Sequence, residues 1–546
     1  MAGDKRLFHS AAKVIVGSPN TVSTAIHRGP CRDVSVQSEL GFTDAFSARA
    51  VIRDEIKFPT HTGSKGIPCL VTKLTWRAFV WGRMRCGGSL EHDLRCELLV
   101  GLVAALPALV AFLTYGALEP PDSVGYISYA EQLRAGTLPS GAALLKEAPA
   151  PISLFRTPGY PALIAVTQSL FGTVWKATLV LLQIIAHAAL AVTLYRTAVL
   201  LRLSQSLAIL IALLPSVGLG LVMQISLLTD AICAALLGFA ALWLVQATLR
   251  PSQIALVAVG IALAGAMLLR EATMFIAVVG YGPAVWLASR PENRLRWFCS
   301  VFFPILVVTA LMAGTNYVRS GYPVITTNPQ VVMVQAVLPL VNQQLPIFDG
   351  EDLYDRTARH TLRGREYATI QELNGKLFLA GLNAAEMAEA ATRRYFRAWW
   401  RFPGAMFIAT VSRYRDHFLA LAFYPTVTLR YLAVYAGLPR PKFTDPARLW
   451  KRLLWKGNLS ASGTAWLLID LVTRVIGIAM GLAAMAAPFL LINQNDDRGR
   501  VLLGTWLICM SFLAVYLPVH LDIRYLVPTI PLQCLLAATL WEAARP

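Results

Sequence analysis

The chain has 546 residues, 56% of them hydrophobic and only 15% charged, with a formal net charge of +18. A soluble protein of this size would carry about 25% charge, so the composition excludes an ordinary soluble enzyme. Apolar runs of about 18 or more residues recur, the signal of membrane-spanning helices.

The expected fold is all-α and polytopic, with about ten transmembrane helices. The positive excess fits Lys- and Arg-rich cytoplasmic loops and an anionic lipid partner. Nucleic acid is not expected as a partner, because no basic run sits on a nucleic-acid-binding module. The eight cysteines contain no CxxC pair, which leaves a structural zinc site or a thioredoxin-like motif unsupported.

In chain order, residues 1–96 are polar and without period, and are read as a disordered leader; a start at Met84 is an equal alternative. The first span covers about 98–117 and opens a transmembrane module, 97–314, whose first loop is 118–175. Pro120-Pro121 closes the span, and Asp122 stands where a helix N-cap would. Tyr126, Tyr129 and Leu133 then recur at helical spacing until Gly136. The run 158–171 is apolar but short for a span. Further spans are expected at about 177–199, 206–222, 231–249, 254–269, 272–288 and 297–314. Residues 315–463 leave the bilayer as an extracytoplasmic or interfacial region, with a helix from Asn383 to Arg401. Within it, 404–438 is ambiguous, carrying Arg413, Arg415, Asp416 and His417, and 440–456 is strongly basic. Spans at about 464–492 and 501–518 and a last one ending near 540 complete the C-terminal helices, 464–541. No internal repeat is seen, which weighs against a transporter of duplicated halves.

Span parity sorts the charges. With the N-terminus in the cytoplasm, Arg196, Arg202, Arg250, Arg290, Arg294 and Arg296 all fall on that side, as the positive-inside rule requires. Asp122, Arg156, Asp230, Arg270, Glu271, Asn316 and Arg319 fall on the other face. A ten-span count adds His520, Asp522 and Arg524 to them.

Five elements carry a family resemblance: the 119–161 loop ending FRTPGYP, the Thr229-Asp230 pair, the Arg270 that ends a span, NYVRSGYP around Arg319, and HLDIRYLVP around Arg524. Their order resembles the C-type membrane glycosyltransferases, which include dolichyl-phosphate-mannose protein mannosyltransferases and bacterial lipid A aminoarabinose transferases. The resemblance implies a lipid-phosphate sugar donor and an extracytoplasmic active site, with Asp122 as catalytic base and Asp230 as second acidic residue. It implies Arg156, Arg270, Arg319 and Arg524 as donor-phosphate contacts. Tyr126, Tyr160, Glu271, Asn316 and His520 are candidate substrate contacts on the same face.

The chemistry suits these residue types. An acceptor hydroxyl or amine attacking an anomeric carbon must lose a proton, and a carboxylate takes it. The leaving phosphate needs cations rather than a general acid, and a single displacement inverts the anomeric centre. A divalent cation is left open, with Asp122 and Asp230 as its only acidic ligands. The bland reading of both aspartates is helix capping. A lipid-linked saccharide transporter or flippase is the alternative function, and a non-catalytic scaffold a third. Without a Walker A loop, HExxH or GxSxG elbow, ATP-driven and metalloprotease readings lose their usual support. The partners expected are a polyprenyl-phosphate sugar donor, a lipid, glycan or protein acceptor, and the bilayer, with a bacterial inner membrane as location.

Overall fold

A 26-residue apolar helix, α1 (Leu90–Tyr115), begins the part of the chain described by the computed structural model. The described residues are 90–147, 149–362, 367–418, 425–438, 461–491, 497–520 and 522–544, all inside the unit Arg85–Pro546. The leader up to residue 89 and the basic segment 440–456 lie outside them, as do the side chains of Arg413, Arg415, Asp416 and His417. Every element among the described residues is helical apart from one isolated bridge. The protein is an all-α polytopic membrane protein.

Seven helices are long and apolar enough to cross a membrane by length and composition, or eight with a bent pair counted as one. That pair, α7 (Gln205–Leu213) with its 3₁₀ extension and α8 (Leu219–Ile225), bends by 57°. The break follows Pro215, which cannot donate a helical hydrogen bond. Two further expected spans fall on shorter helices. One is α10 (Gln253–Leu269), 17 residues and so roughly 26 Å at the α-helical rise. The other is α11 (Thr273–Ile276) joined to α12 (Gly282–Ala288) through a π-helical turn. The remaining crossing candidates include α6 (Trp175–Leu200), α9 (Asp230–Leu249), α13 (Arg294–Ser320), α20 (Ala461–Leu491), α21 (Asp497–Tyr516) and α22 (Ile530–Ala543) with its 3₁₀ lead-in from Ile523. The C-terminal part of α6 is fastened to α1 by Arg196, whose Nε and Nη2 reach both oxygens of Glu97 at 2.8 and 2.6 Å.

The segment after α1 folds back over the helix ends. Helix α2 (Pro121–Ala135) buries Tyr126, Tyr129 and Ala130, as the spacing predicts, and stops at Gly136 in the left-handed conformation. Two short turns, α3 (Gly141–Leu145) and α4 (Ile152–Phe155), lead to α5 (Gly159–Phe171), which runs on through a 3₁₀ turn into α6. The combined run is 42 residues, about twice a bilayer's hydrocarbon thickness, so α6 alone suffices to cross and α5 is surplus.

Gly159, in the TPGYP element, touches the end of α10. A Cβ there would stand 2.6 Å from the carbonyl oxygen of Leu268, two residues before Arg270. Gly159→Ala is therefore expected to force the two elements apart at a cost of about 1–3 kcal/mol. A thermal melt in detergent that matches wild type would show that the contact is dispensable.

Between α13 and α20 lies a helical unit with its own hydrophobic core. It comprises α14 (Pro329–Asn342), α15 (Leu353–Thr361), α16 (Tyr367–Leu379), α17 (Ala384–Arg401) and α18 (Pro403–Phe418), and α19 (Pro425–Tyr435) follows it. Asn383 begins α17 with a capping box to Glu386, as its position before the helix predicts. Arg394 is buried here and bonds Asp355 at 2.8 Å and also Asp352.

Candidate active site

The segments that carry the two aspartates singled out by sequence are joined by a backbone bridge. Leu118 and Ser226 form the parallel bridge: Leu118 N donates to Ile225 O and Leu227 N to Leu118 O, both at 2.8 Å. Asp122 and Asp230 each stand four residues beyond their bridge partner. Neither is an N-cap, which corrects the capping reading. Pro120 and Thr229 occupy the cap positions, and Asp122 and Asp230 sit in the first turns of α2 and α9. Their carboxylates are thus free to turn towards other elements.

Both are met by arginines. Asp122 Oδ1 accepts from Arg156 Nη2 at 3.0 Å, and its Oδ2 from Arg524 Nη2 at 2.9 Å. Arg156 also donates to the Tyr126 hydroxyl at 3.3 Å and lies over that ring, 4.8 Å from its centre. Asp230 accepts from Arg270 Nη2 at 3.0 Å. The link between the two pairs is Tyr525. Arg270 and Arg524 both lie against its ring, at 4.5 and 5.4 Å from the centroid, a favourable cation–π arrangement. Arg524 further pairs with Asp522 at 3.2 Å, and Asp522 accepts from the Tyr431 hydroxyl at 2.8 Å. One network therefore runs Tyr126–Arg156–Asp122–Arg524–Tyr525–Arg270–Asp230.

Access is graded along it. The Asp122 side chain is 37% exposed, whereas that of Asp230 is 2% exposed. Burial alone would raise the pKa of Asp122, but Arg524 and then Arg156 outweigh it and hold the carboxyl below its ordinary value. Asp122 is therefore ionised at neutral pH. A depressed carboxylate contributes stability that is present above its unfolded pKa and is lost as pH falls through the folded one.

No protein-family model matches the chain, and no curated protein matches it. Among solved structures it is similar to the Archaeoglobus fulgidus oligosaccharyltransferase in the apo form, at 12% identity and a TM-score of 0.44. The match covers 82% of this chain and 50% of that one, so the chain spans half the length of that structure.

Other expected site residues have different surroundings. Glu271 accepts from Asn328 Nδ2 at 2.5 Å, just before α14. His520 packs its ring edgewise on Tyr525 with centroids 6.0 Å apart, which puts it beside the network. Tyr160 is fully buried, edge-on to Tyr126, and donates to Gln183. Arg319 donates to Pro139 O and Ser153 Oγ at 2.9 and 2.8 Å, pinning the first loop to the end of α13. Asn316 donates to Val324 O and Ile325 O and shapes the turn after that helix.

The residues suit a divalent cation poorly. Both oxygens of Asp122 already accept from guanidinium groups, Asp230 from another, and a hard cation wants several oxygen ligands. Among the described residues no three His, Cys, Asp or Glu side chains group as a metal site.

Tyr525 and Tyr431 join the network without being singled out by the sequence, whereas the span count already places Asp522 on the same face as Arg524. Tyr525 follows Arg524 directly, so the RY pair was the available signal; Tyr431 lies in the stretch 404–438 whose placement its composition left ambiguous.

Proposed function

We propose that the protein is a membrane glycosyltransferase that moves a sugar from a polyprenyl-phosphate donor to an acceptor on the extracytoplasmic face, with inversion. The observation that carries this reading is Asp122, a part-exposed carboxylate held by two arginines at the position the family resemblance gives the base. The acceptor oxygen or nitrogen bonds to the anomeric carbon, the bond from that carbon to the phosphate oxygen breaks, and the acceptor proton passes to Asp122. The lipid phosphate leaves as an anion next to Arg156, Arg524 and Arg270, which stabilise it as charge-assisted donors. Asp230 holds Arg270 in place. A non-catalytic scaffold has no need to bring Asp122, Asp230 and Arg270 together, and the network that joins them favours the transferase over it.

In the arrangement described, Arg156 and Arg524 occupy the very oxygens that would take the proton. A donor phosphate competes for the same guanidiniums, so its arrival loosens their hold on Asp122 and restores its basicity. The pH profile tests this. The acid limb of kcat/KM reports the free enzyme and that of kcat the donor complex. The first is expected below the usual aspartate value of about 3.9, and the second at higher pH than the first. Coincident limbs would mean that the arginines stay on Asp122 throughout.

The direct test is transfer of labelled sugar from a panel of polyprenyl-phosphate donors to endogenous acceptors, in membranes with and without the protein. Label appearing in an acceptor only when the protein is present supports the transferase. Label that stays on the lipid but becomes accessible on the opposite face would favour the flippase.

A further inference from the structure

Gln183 lies inside α6, far in sequence from every charged residue of the network, and is 1% exposed. All of its amide is used. Nε2 donates to Gln224 O at 2.8 Å and to Ser226 O at 3.0 Å. Oε1 accepts from the Tyr160 hydroxyl at 3.1 Å. The first acceptor exists because α8 ends at Ile225, which leaves carbonyls of its last turn without helical partners. In a buried setting such groups cost free energy unless a side chain reaches them.

The two arms of this amide lead to the same place. Ser226 is the residue bridged to Leu118, four residues before Asp122, and it stands four residues before Asp230. Tyr160 packs edge-on against Tyr126 at 5.3 Å, and the Tyr126 hydroxyl accepts from Arg156, which holds Asp122. We infer that Gln183 is a positioning residue: it fixes the register between the Asp122-bearing and Asp230-bearing segments, and with it the spacing of the charge network. It touches no reacting atom. Its role is to hold the 118–226 bridge and the Tyr160–Tyr126 contact as one rigid support.

The test uses full-length protein with Gln183→Met, which removes all three bonds at similar volume, and Gln183→Glu, which keeps the Tyr160 bond and, as a buried neutral carboxyl, retains at most one of the two donors. Two readouts are taken. Backbone hydrogen exchange in the peptides containing Leu118 and Leu227 is expected to accelerate in both variants, while peptides from α14 to α17 stay at wild-type rates. Transfer kinetics are expected to show kcat lowered about 100-fold, the scale of a small misplacement of reacting groups, with donor KM near wild type. The acid limb of kcat/KM is expected to move to higher pH, because Asp122 loses part of its arginine contact.

The kinetic arm rests on the proposed transferase reading. The exchange arm does not, so an inactive wild type would overturn that reading and still leave Gln183 decided by exchange. Wild-type exchange in both variants overturns the inference. So does an activity loss that merely follows the folded fraction with an unshifted pH limb. Failure of both variants to yield folded protein would assign Gln183 to folding and overturn the positioning role.

Discussion

Asp122→Asn is expected to lower sugar transfer about 10³-fold, in the middle of the range for loss of a general base, with the protein still present in membranes at wild-type level. The amide keeps the size of the carboxylate and one acceptor oxygen, so one guanidinium retains a partner and the loop stays in place. What disappears is the group proposed to take the acceptor's proton. The decisive comparison is Asp122→Asn with Asp122→Glu under saturating donor. The glutamate restores a base on a longer arm and is expected to recover part of the rate. Transfer at wild-type rate in the asparagine variant would take Asp122 out of the reaction and leave Asp230 as the remaining acid. Asp230 starts with a disadvantage there, since only 2% of its side chain reaches solvent and Arg270 already holds it.

Arg270→Ala is expected to give the largest loss of stability among single changes in the network. Asp230 would be left as a buried carboxyl without its cation. Breaking a buried ion pair from one side costs about 3–5 kcal/mol. The Tyr525 ring would also lose one of its two cations. Replacing both partners, Arg270→Leu with Asp230→Leu, is expected to recover much of that stability, because no charge is then stranded, while transfer stays absent. Apparent melting temperatures of the single and double variants in one detergent measure the difference. A single variant as stable as wild type would show that water reaches Asp230 and that the pair is not a closed one.

Much of the frame was legible from residues alone, and the reasons are local. Membrane spans are set by runs of apolar side chains, and all ten expected runs fall on helices. Helix α2 followed from Tyr126, Tyr129 and Leu133 at one-face spacing and from Gly136 as its stop. The parity argument gathers Asp122, Arg156, Asp230, Arg270, Asp522 and Arg524 onto one face, and all six form ion pairs with one another there. The same argument also gathers Arg319 and Asn316, whose bonds hold the first loop and the turn after α13. Face assignment is a coarse filter: it says which end of the bundle a side chain occupies, not whom it touches there. The capping alternative fails for a related reason. Asp is a good cap in isolation, but Pro120 and Thr229 take the cap positions and the arginines recruit the carboxylates.

By itself, the sequence determined the class of molecule, the position of its helices and the residue types that gather at one end of the bundle. Those depend on hydrophobic runs, helical spacing and loop charge, all readable within a few residues of each other. Only the tertiary structure decided the pairing. Asp122 and Arg524 are 402 residues apart, and their contact exists because α2 and the turn before α22 are carried together by the packed bundle. The same holds for Tyr525 between two arginines and for Gln183 beneath the 118–226 bridge. No local pattern encodes them, since each is a meeting of segments whose distance is set by how helices pack rather than by the residues beside them in the chain.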